Sequence, residues 1–183
     1  HPDQGTILFK GETLKNHSPQ QALDKGISMI HQELSPVLDM RVCDNIFLGR
    51  EPVKYGLVDD KRLFRDTEEL LQSLGMTDLD PLAKMCDLSV AQTQMVEIAK
   101  AVSYKADLII MDEPTSTISE AEVQILFSII RDLRARGIAI IYISHKMSEI
   151  FEITDEITVF RDGAYIATGK TCDMTQEELV TMM

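Results

Sequence analysis

Leu108-Ile109-Ile110-Met111-Asp112-Glu113-Pro114-Thr115-Ser116 is an apolar run that ends in two adjacent carboxylates. Asp107 to Asp112 shows no polar alternation, which predicts a central parallel strand buried on both faces. Such a strand delivers Asp112 and Glu113 to its C-terminal end. Phosphate-hydrolysing sites place a magnesium-holding carboxylate beside a water-activating one in this way. Taken alone, the run also suits an α/β protein in which the acid caps the next helix. No G-x-x-x-x-G-K-[ST] phosphate loop occurs in the 183 residues.

Outward from this run the chain alternates strand-like and helix-like segments, which predicts an α/β fold. Thr6 to Lys10 and Ile27 to Ile30 read as strands, with Ser18, Pro19 and Gly26 marking the cap, first turn and end of a short helix between them. Leu63, Phe64, Leu70 and Leu71 repeat at helical spacing within Asp59 to Leu74, and the interval between Gln32 and Asp59 reads as short helices and loops. Ser89 with Gln92, Ser119 with Glu122 and Thr175 with Glu178 open three further helices as capping boxes. Ile138 to Ile143 is a second continuous apolar strand, after which His145 begins a helix or loop. Asp162-Gly163, between Ile157 to Phe160 and Tyr165 to Ala167, signals a hairpin.

Composition narrows the class. With 44% hydrophobic and 26% charged residues, the chain has the make-up of one globular domain. A net charge of −12 opposes nucleic acid and anionic lipid as partners, and no basic cluster offsets it. Cys43, Cys86 and Cys172 form no C-x-x-C pair, so neither a disulfide framework nor a zinc site is expected, and a reducing compartment is. The ten methionines, including Met95, Met111 and Met147, read as gap-filling core residues. No run approaches the roughly 20 apolar residues of a membrane span. His1-Pro2-Asp3-Gln4-Gly5 lacks an initial Met and reads as a turn within a domain, so the chain is expected to be a piece of a longer protein.

Four features accompany the acidic pair. They are Gln32 after the Ile27 to Ile30 strand, Leu88-Ser89-Val90-Ala91-Gln92, Pro114-Thr115-Ser116, and His145 after the next strand. Their order resembles the nucleotide-binding domain of ATP-binding cassette (ABC) transporters across essentially the whole chain. Leu88 to Ala101, Met29 to Leu34 and Ile143 to Met147 look like the monosaccharide importers in particular. The resemblance implies an ABC-type P-loop NTPase fold lacking its phosphate-loop strand and helix, with a helical subdomain over roughly 35–105. The implied activity is ATP hydrolysis driving sugar import, with galactose or methyl galactoside first and ribose or xylose as alternatives. The implied cofactors are ATP and Mg²⁺. Membrane permease subunits, a second cassette and, indirectly, a periplasmic sugar-binding protein are the implied partners, at the cytoplasmic face of the membrane.

The same resemblance assigns roles. Asp112 would hold Mg²⁺, Glu113 would polarise the attacking water, and His145 would keep water and carboxylate in register. Gln32, both donor and acceptor, would sense Mg²⁺ and the water while its loop touches the membrane subunits. Ser89, Val90, Ala91 and Gln92 form the signature at a helix N-terminus, where free N–H groups would meet the γ-phosphate held by the partner cassette. Ser116 to Ser119 correspond to the D-loop. Three positions depart from the wider family: Val90 and Ala91 stand where Gly is usual, Ser119 replaces Asp, and Thr93 replaces a longer residue. Without a phosphate loop, the 183 residues alone are expected to bind ATP negligibly and to leave a sheet edge exposed. A cassette ATPase acting on nucleic acid, or a catalytically dead remnant, are the competing expectations.

Overall fold

The computed structural model describes residues 4–14 and 18–183, so the His1-Pro2-Asp3 part of the expected turn lies outside the described residues. Its centre is a parallel sheet of three strands, β3 (Ile27–Ile30), β6 (Leu108–Asp112) and β7 (Ala139–Ile143), in the order β3-β6-β7. The register aligns Ile30 with Met111 and Met111 with Tyr142, and sets Asp112 opposite Ile143. Side chains in the Ser28-Ile109-Ile140 and Ile30-Met111-Tyr142 rows therefore share one face.

That face is the dry one. Ile109 and Met111 are fully buried, as Val96, Ile98 and Ala99 are on α4 (Val90–Ser103) and Leu126, Phe127 and Leu133 are on α5 (Glu120–Ala135). Phe127 meets Tyr142 edge-on at 6.1 Å between ring centres. The opposite face is open: Met29, Ile141 and Ile143 are 42%, 47% and 45% exposed. The expectation that β6 is buried on both faces is thus corrected. Both α4 and α5 pack on one side, and β6 alternates between buried and half-buried positions. Among the described residues β7 pairs with β6 alone, leaving its outer edge unpaired.

The capping boxes at Ser89, Ser119 and Thr175 all form, the last opening α7 (Gln176–Met182). α1 (Pro19–Asp24) starts at an Ser18 cap with Pro19 in its first turn. Between β3 and β6 the chain also makes α2 (Val42–Ile46) and α3 (Asp60–Ser73), which turns Leu63, Thr67 and Leu71 inward. The strand expected over Thr6 to Lys10 is shorter: β1 (Leu8–Phe9) folds back on β2 (Glu12–Thr13), because Lys10 and Gly11 both take positive φ and make a tight turn. A second small hairpin, β4 (Val53–Lys54) with β5 (Leu57–Val58), turns at Tyr55-Gly56 in the same way and replaces the helix or loop expected there. β8 (Glu156–Arg161) and β9 (Ala164–Lys170) form the hairpin foreseen at Asp162-Gly163, and Ile157, Val159 and Leu179 close a small separate core beneath it. No helix among the described residues is long and apolar enough to cross a membrane.

Gly26 joins α1 to the sheet. Its carbonyl accepts from Asp107 N at 2.8 Å and Leu108 N at 3.0 Å, starting the β3-β6 pairing, and its φ of +87° suits glycine alone. A Cβ there would meet the Asp107 carboxylate. Gly26→Ala is expected to lower unfolding free energy by about 1–2 kcal/mol in urea denaturation, whereas alanine at a helical surface position costs nothing comparable.

Candidate functional site

Three strands of equal register end at one rim of the sheet. Gln32 follows β3 by two residues, Glu113 follows β6 directly, and His145 follows β7 by two. The rim brings all three together: Gln32 Nε2 donates to Glu113 Oε2 at 3.3 Å, and His145 Nδ1 lies 2.9 Å from Glu113 Oε1. An ionised Glu113 can only accept, so Nδ1 carries the hydrogen and Nε2 is left for another partner. Glu113 takes the left-handed conformation, φ +45°, while its N–H donates to Ile143 O at 2.9 Å. That backbone costs about 1–2 kcal/mol for a residue with a Cβ. It holds the carboxylate between the Gln32 and His145 loops.

Asp112 is the last residue of β6 and lies on the open face. Its carboxylate is half-buried and makes no hydrogen bond or ion pair with any described residue. A carboxylate left without donors at the C-terminal rim of a parallel sheet fits a cation. No group of three or more His, Cys, Asp or Glu residues among the described ones could cage a metal. A single free carboxylate suits Mg²⁺, which keeps several waters and takes phosphate oxygens rather than a full protein cage.

A second carboxylate lies behind this rim. Glu149, in the first turn of α6 (Met147–Ile153), is 6% exposed. It accepts from Thr115 Oγ1 and Tyr142 Oη at 2.7 Å each and from Ser144 Oγ at 3.3 Å, and pairs with Lys146 Nζ at 3.1 Å. Lys146 Nζ also donates to Thr115 O at 3.0 Å. Burial pushes the Glu149 carboxyl up, but donation from Thr115, Tyr142 and Lys146 outweighs it and holds the carboxyl below its ordinary value. Burial, then donation to Glu149, pushes the Tyr142 hydroxyl up. The sequence reading missed this cluster. Its signal was a Glu four residues after His145 and a Thr two after Glu113.

The signature residues stand apart from the rim. Ser89 caps α4, accepting from Gln92 N at 3.2 Å while its own N–H donates to Gln92 Oε1 at 3.0 Å. Val90 is exposed and Ala91 buried. Thr93, unexplained by sequence, donates its hydroxyl to Ser89 O at 3.0 Å and tightens the same turn. No hydrogen bond among the described residues joins Ser89 to Gln92 with Glu113 or His145. Ser116 closes the turn after Glu113, its N–H on Glu113 O at 3.2 Å. Ser119 caps α5, its N–H and hydroxyl both on Glu122 Oε2 at 2.7 Å. Gly169-Lys170-Thr171 imitates the end of a phosphate loop, but Gly169 and Lys170 are in β9 and Thr171 begins a 3₁₀ turn.

A parallel sheet that gathers Gln32, Asp112, Glu113 and His145 at one rim is the arrangement expected of an ABC-type ATP-binding cassette. A family model described as ABC transporter matches residues 1–116, and the chain belongs to that family. It is 58% identical over 185 residues to the putative ribose/galactose/methyl galactoside import ATP-binding protein of Geobacillus kaustophilus, covering 100% of this chain and 36% of that protein. It is 51% identical over 181 residues to the galactose/methyl galactoside import ATP-binding protein of Escherichia coli strain K12, covering 99% and 36%. The chain thus spans about a third of the length of these curated relatives. Among solved structures, an ATP-binding cassette of an ABC transporter in its ADP conformation superposes with a TM-score of 0.80 at 23% identity, over 98% of this chain and 76% of that one, which bears out the α/β cassette fold.

A carboxyl held below its ordinary value contributes stability above its unfolded pKa and loses it as pH falls through the folded one. The stability advantage of the wild-type chain over Glu149→Gln should therefore be full at pH 7 and shrink as pH drops below roughly 4. Urea denaturation of both proteins across that range measures it.

Proposed function

We propose that this chain carries the hydrolytic rim of the ATPase subunit of a bacterial sugar importer. The observation that supports this most is the clasp on Glu113, held by Gln32 at 3.3 Å and His145 at 2.9 Å beside the donor-free Asp112. Glu113 polarises the water that attacks the γ-phosphate of ATP. Gln32 and His145 fix the direction of its carboxylate, and the free Nε2 of His145 serves the water or the γ-phosphate. Asp112 holds Mg²⁺, which supplies charge compensation at the phosphate oxygens. The positive end of α4, capped by Ser89 and followed by Val90, Ala91 and Gln92, faces the nucleotide of a second cassette, with Ser116 and Ser119 in the turn that meets it. Val90 and Ala91 in place of glycine mark a subfamily of cassettes.

The Gln32 loop borders a cavity of about 450 Å³ lined by Met29, His31, Glu33, Leu34, Glu97 and Lys100. This mixed apolar and charged hollow suits a protein partner, and membrane permease subunits are the partner proposed. The chain would then work at the cytoplasmic face of the membrane, with a periplasmic sugar-binding protein delivering substrate indirectly. Relatives named for galactose, methyl galactoside and ribose import support those sugars, galactose or methyl galactoside first.

In the full gene product assembled with its permease, Glu113→Gln should keep ATP affinity and lower turnover at least about 100-fold. Turnover that survives this change, or that rises with nucleic acid rather than with the permease, would overturn the reading. Titration calorimetry of the 183 residues alone should show negligible ATP binding, since no phosphate loop is present to cradle the β- and γ-phosphates.

A further inference from the structure

We propose that Glu149 is a positioning residue that keeps Glu113 and His145 in register by clamping the two loops on which they sit. The inference rests on the hydrolytic reading of that pair. Glu113 and His145 are 32 residues apart and belong to different strand ends, so their 2.9 Å contact needs something to fix one loop against the other. Glu149 touches both. Thr115, two residues beyond Glu113, donates at 2.7 Å from one loop. Ser144 and Lys146, the residues on either side of His145, donate at 3.3 Å and 3.1 Å from the other. Tyr142 adds a fourth donor from the end of β7.

The Lys146 ammonium completes a bridge that does not pass through the reacting groups. It pairs with Glu149 and donates to Thr115 O at 3.0 Å, so one cation spans the loops alongside the carboxylate. A plain helix-capping role does not account for the arrangement, because α6 has no side-chain cap and Glu149 sits inside its first turn. Stability alone does not account for it either. Burying a carboxylate among apolar neighbours is costly, and packed hydrophobic residues would hold the two loops together without that cost. What a saturated carboxylate adds is direction: four donors at fixed angles permit one arrangement of the loops. His145 itself is 65% exposed at its side chain, which leaves its flanking residues to fix it.

The test reads the Glu113–His145 contact directly and hydrolysis separately. In the full gene product the ring Cε1–H resonance of His145, assigned by its loss in His145→Gln, should shift at pH 7.5 when Glu113→Gln is introduced. In a Glu149→Gln background the same Glu113→Gln change should leave that resonance unmoved, and Lys146→Met should behave likewise if Glu149→Gln fails to fold. A shift that persists in both backgrounds overturns the proposal. With ATP, Glu149→Gln should lower kcat roughly tenfold to hundredfold with KM within about twofold. Adding Lys146→Met should lower it little further, because both act through one clamp. A KM that rises while kcat holds also overturns the proposal. Loss of the resonance coupling in the Glu149→Gln background, together with a wild-type protein that hydrolyses no ATP, would sustain the clamp and defeat the hydrolytic reading instead.

Discussion

Everything at the candidate site depends on the parallel register of β3, β6 and β7. The row Ile30-Met111-Tyr142 packs against α4 and α5, and the next position on β6, Asp112, necessarily faces the other way. A slip of one residue in β6 would drive the Asp112 carboxylate into a core without a donor and expose Met111 to water. Hydrophobic burial on one face thus sets the direction of the free carboxylate on the other, and the common ending of the strands gathers Gln32, Glu113 and His145. Packing and chemistry are decided by the same alignment.

The two glutamates near this rim illustrate opposite uses of one side chain. Glu113 is held by two exposed neighbours of modest grip and keeps lone pairs unfilled. Glu149 is saturated by hydroxyls and an ammonium and has nothing to spare. Reactivity asks for a carboxylate that is aimed but not filled. Rigidity asks for the reverse, and the fold sets the two side by side, separated by the turn from Pro114 to Thr115.

Much of the fold was legible in the sequence because its signals are local. Capping boxes span four residues, the Asp162-Gly163 turn two, and the apolar run at Leu108 is continuous; each forms where its chemistry indicates. The hairpin at Tyr55-Gly56 escaped because its strands are two residues long and its turn places a tyrosine at positive φ, which propensity disfavours. The open side of the sheet escaped for another reason. An apolar strand reads alike whether one face or two are covered, and coverage is a property of the neighbours. Gln32, Glu113 and His145 could be marked individually from motif order, but the Glu149 cluster joins residues 34 and 7 apart through side chains with no motif of their own.

The uncovered face of the sheet bears on how the molecule behaves in solution. Ile141 and Ile143 lie on β7, whose outer edge is unpaired among the described residues, and Met29 lies on the same face across the sheet on β3, a combination that invites strand-to-strand association between copies. Against this stands a net charge of −12, which makes any two copies repel. That repulsion reaches only about 8 Å at physiological ionic strength and shortens as salt is added. Colloidal stability of the chain is therefore an electrostatic matter, governed by the ionic strength of its surroundings as much as by the strength of its fold.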